Sequence, residues 1–322
     1  PVVCSDRGGL PEAGGDAALY ADLDDPAALA ETLRHLLTDA TLAARLPARG
    51  YLGMSSLARP CARALWYGWR WAAREQPTAA QIRRFEDGHR GEALMAERLR
   101  AVEGVQLLSQ QDELSDLGGH LRGHLDGIVH GLLQAPKTPH VWEHKAVNED
   151  KHRRLRKAIE EHGEKGALAA WDPVYFGQAQ LYLHYTGLKR HYLTCSTPGE
   201  RETVSVRTDY YPAAAEPLVA RARTIIEAAD PPPRLSEKPE HWECKPCAYA
   251  GICHHGEIPQ VSCRTCAHAS AERHGDGLWS CALYARAEIP EPYQRTGCER
   301  HLFLPSLHAD EQGDADEADG DA

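Results

Sequence analysis

Residues 120–147 read HLRGHLDGIVHGLLQAPKTPHVWEHKAV, and this stretch decides the fold. In an extended chain, side chains two residues apart share a face, so Glu143 and Lys145 of VWEHKAV project together. Asp126 in GHLDGIVHG precedes that strand by one hairpin, which sets a second carboxylate beside the first. Gly123 and Gly127 flank Asp126 and are read as leaving room for an ion and a phosphate to approach the backbone. Two carboxylates and an ammonium on one surface suit a hard divalent cation. The carboxylate oxygens bind Mg2+ or Mn2+, and the ammonium orients or helps deprotonate a water and stabilises charge at phosphorus.

Working outward, Ser55–Ala73, with Trp66, Trp69 and Trp71, is predicted to be a helix capped by Ser55 or Ser56. A second helix is predicted from Thr78 to Leu99, bent at Gly88 and Gly91, and it presents Glu92, with His89 as a substitute. Extended segments follow at Val105–Leu114, Gly119–Gly131 and His140–Val147. The charged stretch 148–170 reads as helix with a mobile loop. Lys and Arg between Lys151 and Lys165 either track a phosphate backbone or form a solvated face. Val174–Tyr185 reads as helix, Arg190–Cys195 and Thr203–Tyr210 as strands, and Ala213–Ala229 as helix, closed by Pro231–Pro233. Gln178 and Tyr182 lie four apart on one helical face, with Tyr175 completing a stripe that is either packing or functional.

In order, these motifs resemble the RecB-like branch of the PD-(D/E)XK superfamily, which includes CRISPR-associated iron-sulfur exonucleases and the nuclease domain of AddB. The resemblance covers about Ser55–Cys253: Glu92 on the first helix, the Asp of GHLDG, E-x-K at Glu143 and Lys145, and Q-x-x-x-Y at Gln178 and Tyr182. The proline usual before the motif Asp is Leu125 here. The resemblance implies an α/β fold, a restriction-endonuclease-like core with a mixed central sheet flanked by helices. It also implies that Glu92, Asp126, Glu143 and the His144 carbonyl bind the ion, while Gln178 and Tyr182 position DNA and Lys145. The implied activity is hydrolysis of phosphodiester bonds, on single-stranded DNA or DNA ends, in phage recombination or DNA repair beside a recombination or helicase partner.

Ten cysteines in a chain without an export signal point to metal chemistry rather than disulfides. Cys244, Cys247 and Cys253 form a compact C-x2-C-x5-C clamp that needs one more thiolate, for which Cys61 is the candidate. Either a 4Fe-4S cluster or Zn2+ satisfies four thiolates. In the resembling nucleases, one cysteine before the core and three after it hold a 4Fe-4S cluster. Joining Cys61 to Cys244 closes a loop of roughly 180 residues and so restricts the unfolded chain. Cys263, Cys266, Cys281 and Cys298, with His301 and His268 as substitutes, suggest a zinc-ribbon-like C-terminal module, for DNA or partner binding or as a structural cap.

The formal charge of -11 conceals an uneven distribution. Residues 309–322 carry seven acids and no Lys or Arg, and residues 1–48 carry eight acids against Arg7, Arg34 and Arg45; segment 49–308 is left at +1. Acidity is therefore no objection to DNA binding there. Four parts are expected: 1–50, a nuclease domain at 51–256, the cysteine module at 257–305, and a disordered acidic tail at 306–322. The first fifty residues resemble the C-terminal end of a GT-B glycosyltransferase, Glu12 matching a donor-binding glutamate. They read as a fusion junction or a docking element, and the chain begins at Pro1 as a fragment or processed chain does. Lacking an apolar run of ~20 residues, the sequence reads as cytoplasmic. Besides nuclease, a metal-stabilised DNA-binding or assembly subunit with a vestigial site and a glycosyltransferase are the competing classes.

Overall fold

The computed structural model describes residues 2–5, 18–21, 25–28, 30–31, 49–73 and 78–307. The chain divides into two compact units, 1–48 with 74–78 and 49–73 with 79–322. In the first, β1 (Val2–Ser5) and β2 (Ala18–Ala21) pair in parallel, with Cys4 opposite Tyr20. Of the helix expected after Asp25, residues 26–28, 30 and 31 are helical. Asp25 Oδ1 accepts from the N–H of Ala27 at 2.8 Å and of Ala28 at 3.2 Å, as an N-cap does. The rest of that helix, Glu12 and the acidic tail from 308 lie outside the described residues.

In the second unit the strands are β3 (Leu52–Gly53), β4 (Gln106–Leu108), β5 (Glu113–Asp116), β6 (Leu121–His124), β7 (Gly127–His130), β8 (His140–Ala146), β9 (Arg190–Ser196) and β10 (Thr203–Asp209). A mixed five-stranded sheet has the order β10-β9-β8-β7-β4, and a smaller one the order β3-β6-β5. Only β8 and β9 run parallel in the large sheet, so the chain must cross over between them. It does so through α3 (Glu149–Trp171) and α4 (Pro173–Thr186). β8 is buried from His140 to His144, as a central strand covered on both faces is.

Several local expectations are corrected. The first helix, α1 (Ala62–Trp69), begins after Pro60, and its cap is Cys61, whose Sγ accepts from Ala64 N–H at 3.4 Å. Proline restricts the residue before it to extended conformations, so Ser55 and Ser56 lie instead in a separate 3-10 turn. α2 (Ala79–Ala101) runs through Gly88 and Gly91 without a break. The expected strand at 105–114 is two strands joined by a turn in which Ser109 and Gln111 have positive φ. α3 is kinked at Gly163, where φ is 69°. Pro305–Leu307 form a 3-10 turn and Leu307 enters the core, so Ser306 and Leu307 belong to the folded part rather than the tail.

After β10 comes α5 (Pro212–Glu227), and the last segment contains α6 (Ala250–His255), the hairpin of β11 (Ala269–Ala271) and β12 (Trp279–Cys281), and α7 (Glu291–Thr296). It shares one core with the main sheet side. Trp279 lies 5.2 Å from Trp69 and 6.0 Å from His120, centroid to centroid. Burying each such tryptophan is worth roughly 4–6 kcal/mol by area. Arg264, also buried, donates to Gly50 O at 2.9 Å and Trp69 O at 3.1 Å and stacks on Trp71 at 3.6 Å. Its charge is matched by carbonyls and aromatic faces.

Candidate active site

Antiparallel pairing of β7 with β8 sets Gly127 opposite Trp142. Asp126 precedes Gly127 and Glu143 follows Trp142, so the same register brings the two carboxylates side by side. Asp126 sits where the chain leaves the small sheet (β6) and enters the large one (β7). That step frees its side chain from the ladder, and Asp126 Oδ2 accepts the His144 N–H at 2.7 Å. Lys145 Nζ donates to Glu143 Oε1, which also accepts from Gln178 Nε2 at 2.8 Å. Gln178 Nε2 in turn donates to Tyr182 Oη at 3.1 Å, so the i,i+4 pair on α4 holds the Glu143 rotamer.

Glu92, on α2, accepts from Gln111 Nε2 at 2.9 Å. Gln111 is held by its own N–H to Leu125 O at 2.7 Å, next to Asp126. Sequence reasoning missed Gln111, because nothing in a turn sequence tells which strand the turn will face. His89 is exposed.

The three carboxyls act on one another. Burial raises the Glu143 carboxyl and the Asp126 charge raises it further, against Lys145 and Gln178. Burial also raises Asp126, with Glu92 adding and Lys145 opposing. Glu92 is raised by burial and then by Glu143. Although burial opposes its charge, Glu143 and Asp126 hold the Lys145 ammonium above the usual lysine range. Lys145 lies 5.2 Å from the Tyr175 ring, which Lys151 approaches from 4.2 Å while paired with Asp172 at 2.6 Å. Burial, then Glu143, raises the Tyr182 phenol, which stays protonated.

The glycines around Asp126 serve packing. A Cβ at Gly123 would meet Tyr182 Cε1 at 2.6 Å and Met54 Sδ at 2.9 Å, and one at Gly127 would meet Leu107 Cδ1 at 2.7 Å. Their predicted role of admitting an ion and a phosphate is corrected accordingly: the space a side chain would take at each is filled by the protein itself.

No family model matches the chain, and no curated protein matches it. Solved structures do. The chain is similar to an alkaline exonuclease. That protein, LHK-Exo from Laribacter hongkongensis, matches with a TM-score of 0.38 and 15% identity over 55% of this chain and 87% of its own. Its complex with dAMP matches with a TM-score of 0.37 and 15% identity over 55% and 86%. SSO0001 matches with a TM-score of 0.37 and 18% identity over 70% and 93%. TM-scores at this level mean that the backbones share only part of their arrangement.

Within each predicted set, cysteines lie within electrostatic reach of one another. Burial raises the Cys247 thiol, and Cys61, Cys253 and Cys244 raise it further against a hydrogen bond from the Tyr249 backbone. Cys244 likewise responds to burial and then to Cys61 and Cys253. In the second set, burial pushes Cys263 up to about 11, with Cys266, Cys298 and Cys281 contributing. His301 Nε2 lies 3.2 Å from Thr265 Oγ1 and its ring packs on Phe303 at 4.4 Å. Among the described residues, no group of three or more His, Cys, Asp or Glu side chains has the spacing of an assembled ion site. The predicted ligands are brought into one another's neighbourhood rather than into coordination geometry.

Proposed function

We propose that this chain hydrolyses phosphodiester bonds in DNA, as an exonuclease or end-processing nuclease acting on single strands. The observation that carries the reading is Asp126 and Glu143 side by side with Lys145 and within electrostatic reach of Glu92, with Glu143 Oε2 buried and lacking a hydrogen-bond partner. An orphaned buried carboxylate oxygen among mutually repelling acids is the donor set that Mg2+ or Mn2+ prefers. Asp126, Glu143, Glu92 and the His144 carbonyl would hold the ion. Bound there, it would supply a Lewis acid for the phosphoryl oxygens and acidify a water.

The remaining work falls to the protein. Lys145, kept charged, stabilises negative charge growing on the phosphoryl group and fixes one oxygen of Glu143. Gln178 and Tyr182 fix the same carboxylate from α4 and leave its other oxygen free. The strand preference rests on the RecB-like resemblance of these motifs. The same proposal assigns Cys61, Cys244, Cys247 and Cys253 to a 4Fe-4S cluster and Cys263, Cys266, Cys281 and Cys298 to Zn2+, each a staple for a segment with little core of its own. No helix among the described residues is long and apolar enough to cross a membrane.

The test is digestion of end-labelled single- and double-stranded DNA with Mg2+ or Mn2+, comparing wild type with Asp126→Ala. Loss of cleavage in the variant supports the assignment. Equal residual cleavage by both proteins refutes it, and DNA binding without cleavage by wild type would mark a subunit with a vestigial site.

A further inference from the structure

β8 has a second polar face. Opposite Glu143 and Lys145, the His144 side chain is buried, with Nδ1 3.0 Å from Thr194 Oγ1 and Nε2 3.2 Å from Ser196 Oγ. The same Nε2 lies 3.3 Å from Glu200 Oε1, and Ser196 Oγ donates to that carboxylate as well. Glu200 Oε2 accepts from Arg98 of α2 at 3.3 Å. The Glu200 carboxylate is thus buried, 6% exposed, and joins β8, β9 and α2. It stands in the turn between β9 and β10 with φ 57°, a left-handed conformation that costs a residue with a Cβ roughly 1–2 kcal/mol. Ser196, His144 and Glu200 are not a nucleophilic relay, because Ser196 is fully buried and Glu200 meets the same ring nitrogen as Ser196.

α2 passes close to the strand here. A Cβ on Gly91 would stand 2.8 Å from Glu200 Oε1 and 3.2 Å from His144 Nε2. The next residue is Glu92. One turn further along, Met95, Ala96 and Leu99 pack with Trp142.

We infer that Glu200 is a positioning residue, whose buried carboxylate docks α2 on the back of β8 and so sets the separation of Glu92 from Asp126 and Glu143. Its purpose rests on the nuclease reading, because ion sites tolerate ligand displacements of only about 0.5 Å. A buried acid in a strained turn, tied to three elements, fits a part kept for placement rather than for stability.

The full chain is compared with Glu200→Ala, Glu200→Gln and Gly91→Ala by Mn2+ titration calorimetry, by kcat and KM on a single-stranded oligonucleotide, and by thermal melting. Glu200→Ala is expected to weaken Mn2+ binding and lower kcat by about 10- to 100-fold, leaving KM for DNA within about threefold. Glu200→Gln keeps the side chain's length and one acceptor oxygen, enough for Ser196 or Arg98 but not both, and is expected to recover part of both losses, whereas Gly91→Ala reproduces the loss. Arg98→Ala, at the exposed end of the pair, tests the same clamp should Glu200→Ala not fold. Wild-type Mn2+ affinity and kcat in Glu200→Ala, whatever its melting temperature, overturn this inference alone. Absence of Mn2+ binding by wild type overturns it together with the nuclease reading.

Discussion

The main-chain N–H of His144 donates to Asp126 Oδ2 at 2.7 Å, so the strand that carries Glu143 and Lys145 also grips the carboxylate opposite them. Asp126→Asn keeps an oxygen acceptor for that bond while removing the anionic ligand. Activity is expected to fall at least about 100-fold, with the melting temperature held within about 2 °C, since the fold loses only one buried charge among repelling neighbours. Steady-state cleavage alongside thermal melting checks both halves.

Gln178 donates to Glu143 and to Tyr182, which ties both residues to the Glu143 carboxylate. Gln178→Ala frees the Glu143 rotamer and is expected to lower kcat by about 10- to 100-fold, the range for partners that orient an ion's ligands. Tyr182→Phe removes only the acceptor behind Gln178 and should cost less. Kinetics of the two single variants and the double variant measure this, and additive losses would contradict a single chain of contacts.

The site was more legible in the sequence than its supports. Period-two alternation in a strand gives the Glu143 and Lys145 pair directly, and the hairpin register gives Asp126. Cys61 as a helix cap was hidden because Ser55 and Ser56 are stronger caps by type, and Pro60 overrides them. Gly91 reads as a helix breaker, yet it serves a close approach to His144 and Glu200 that only the tertiary structure creates. Arg70 and Arg264 are the clearest failures of local reasoning. Both are buried, and the carbonyls and tryptophan faces that accommodate them come from segments far apart in sequence: Arg70 Nη1 donates to Arg264 O at 3.0 Å.

Acid is expected to loosen the contact between the C-terminal segment and the core. His120 is buried, 2.9 Å from Glu272 O and edge-on to Trp69 at 5.7 Å. Burial, with Arg264 and Arg122 nearby, pulls its pKa down to about 4 from 6.5. The unfolded chain takes up this proton near 6.5 and the folded one near 4. The stability contributed by neutral His120 is therefore complete above 6.5 and lost as pH falls toward 4. His191, held down to about 3 by burial, acts with the same sign, whereas Asp126 and Glu143, held up, are relieved by acid. Tryptophan-fluorescence melts between pH 7.5 and 4.5 should show a shallower acid loss in His120→Asn than in wild type.

The cysteine assignments predict about four irons and one zinc per chain after anaerobic purification, with a broad visible absorption band. Cys247→Ser should remove the iron and the band and keep the zinc; Cys263→Ser should do the reverse. A colourless, zinc-only protein would remove the cluster from the account.

The most direct measurement is single-turnover cleavage of an end-labelled single strand in Mn2+ by wild type, Glu143→Gln and Lys145→Ala. The account predicts cleavage by wild type that ceases when EDTA is added, and a rate at least about 100-fold lower in each variant while each still binds the strand. Cleavage at the wild-type rate by Glu143→Gln, or undiminished in EDTA, would contradict it.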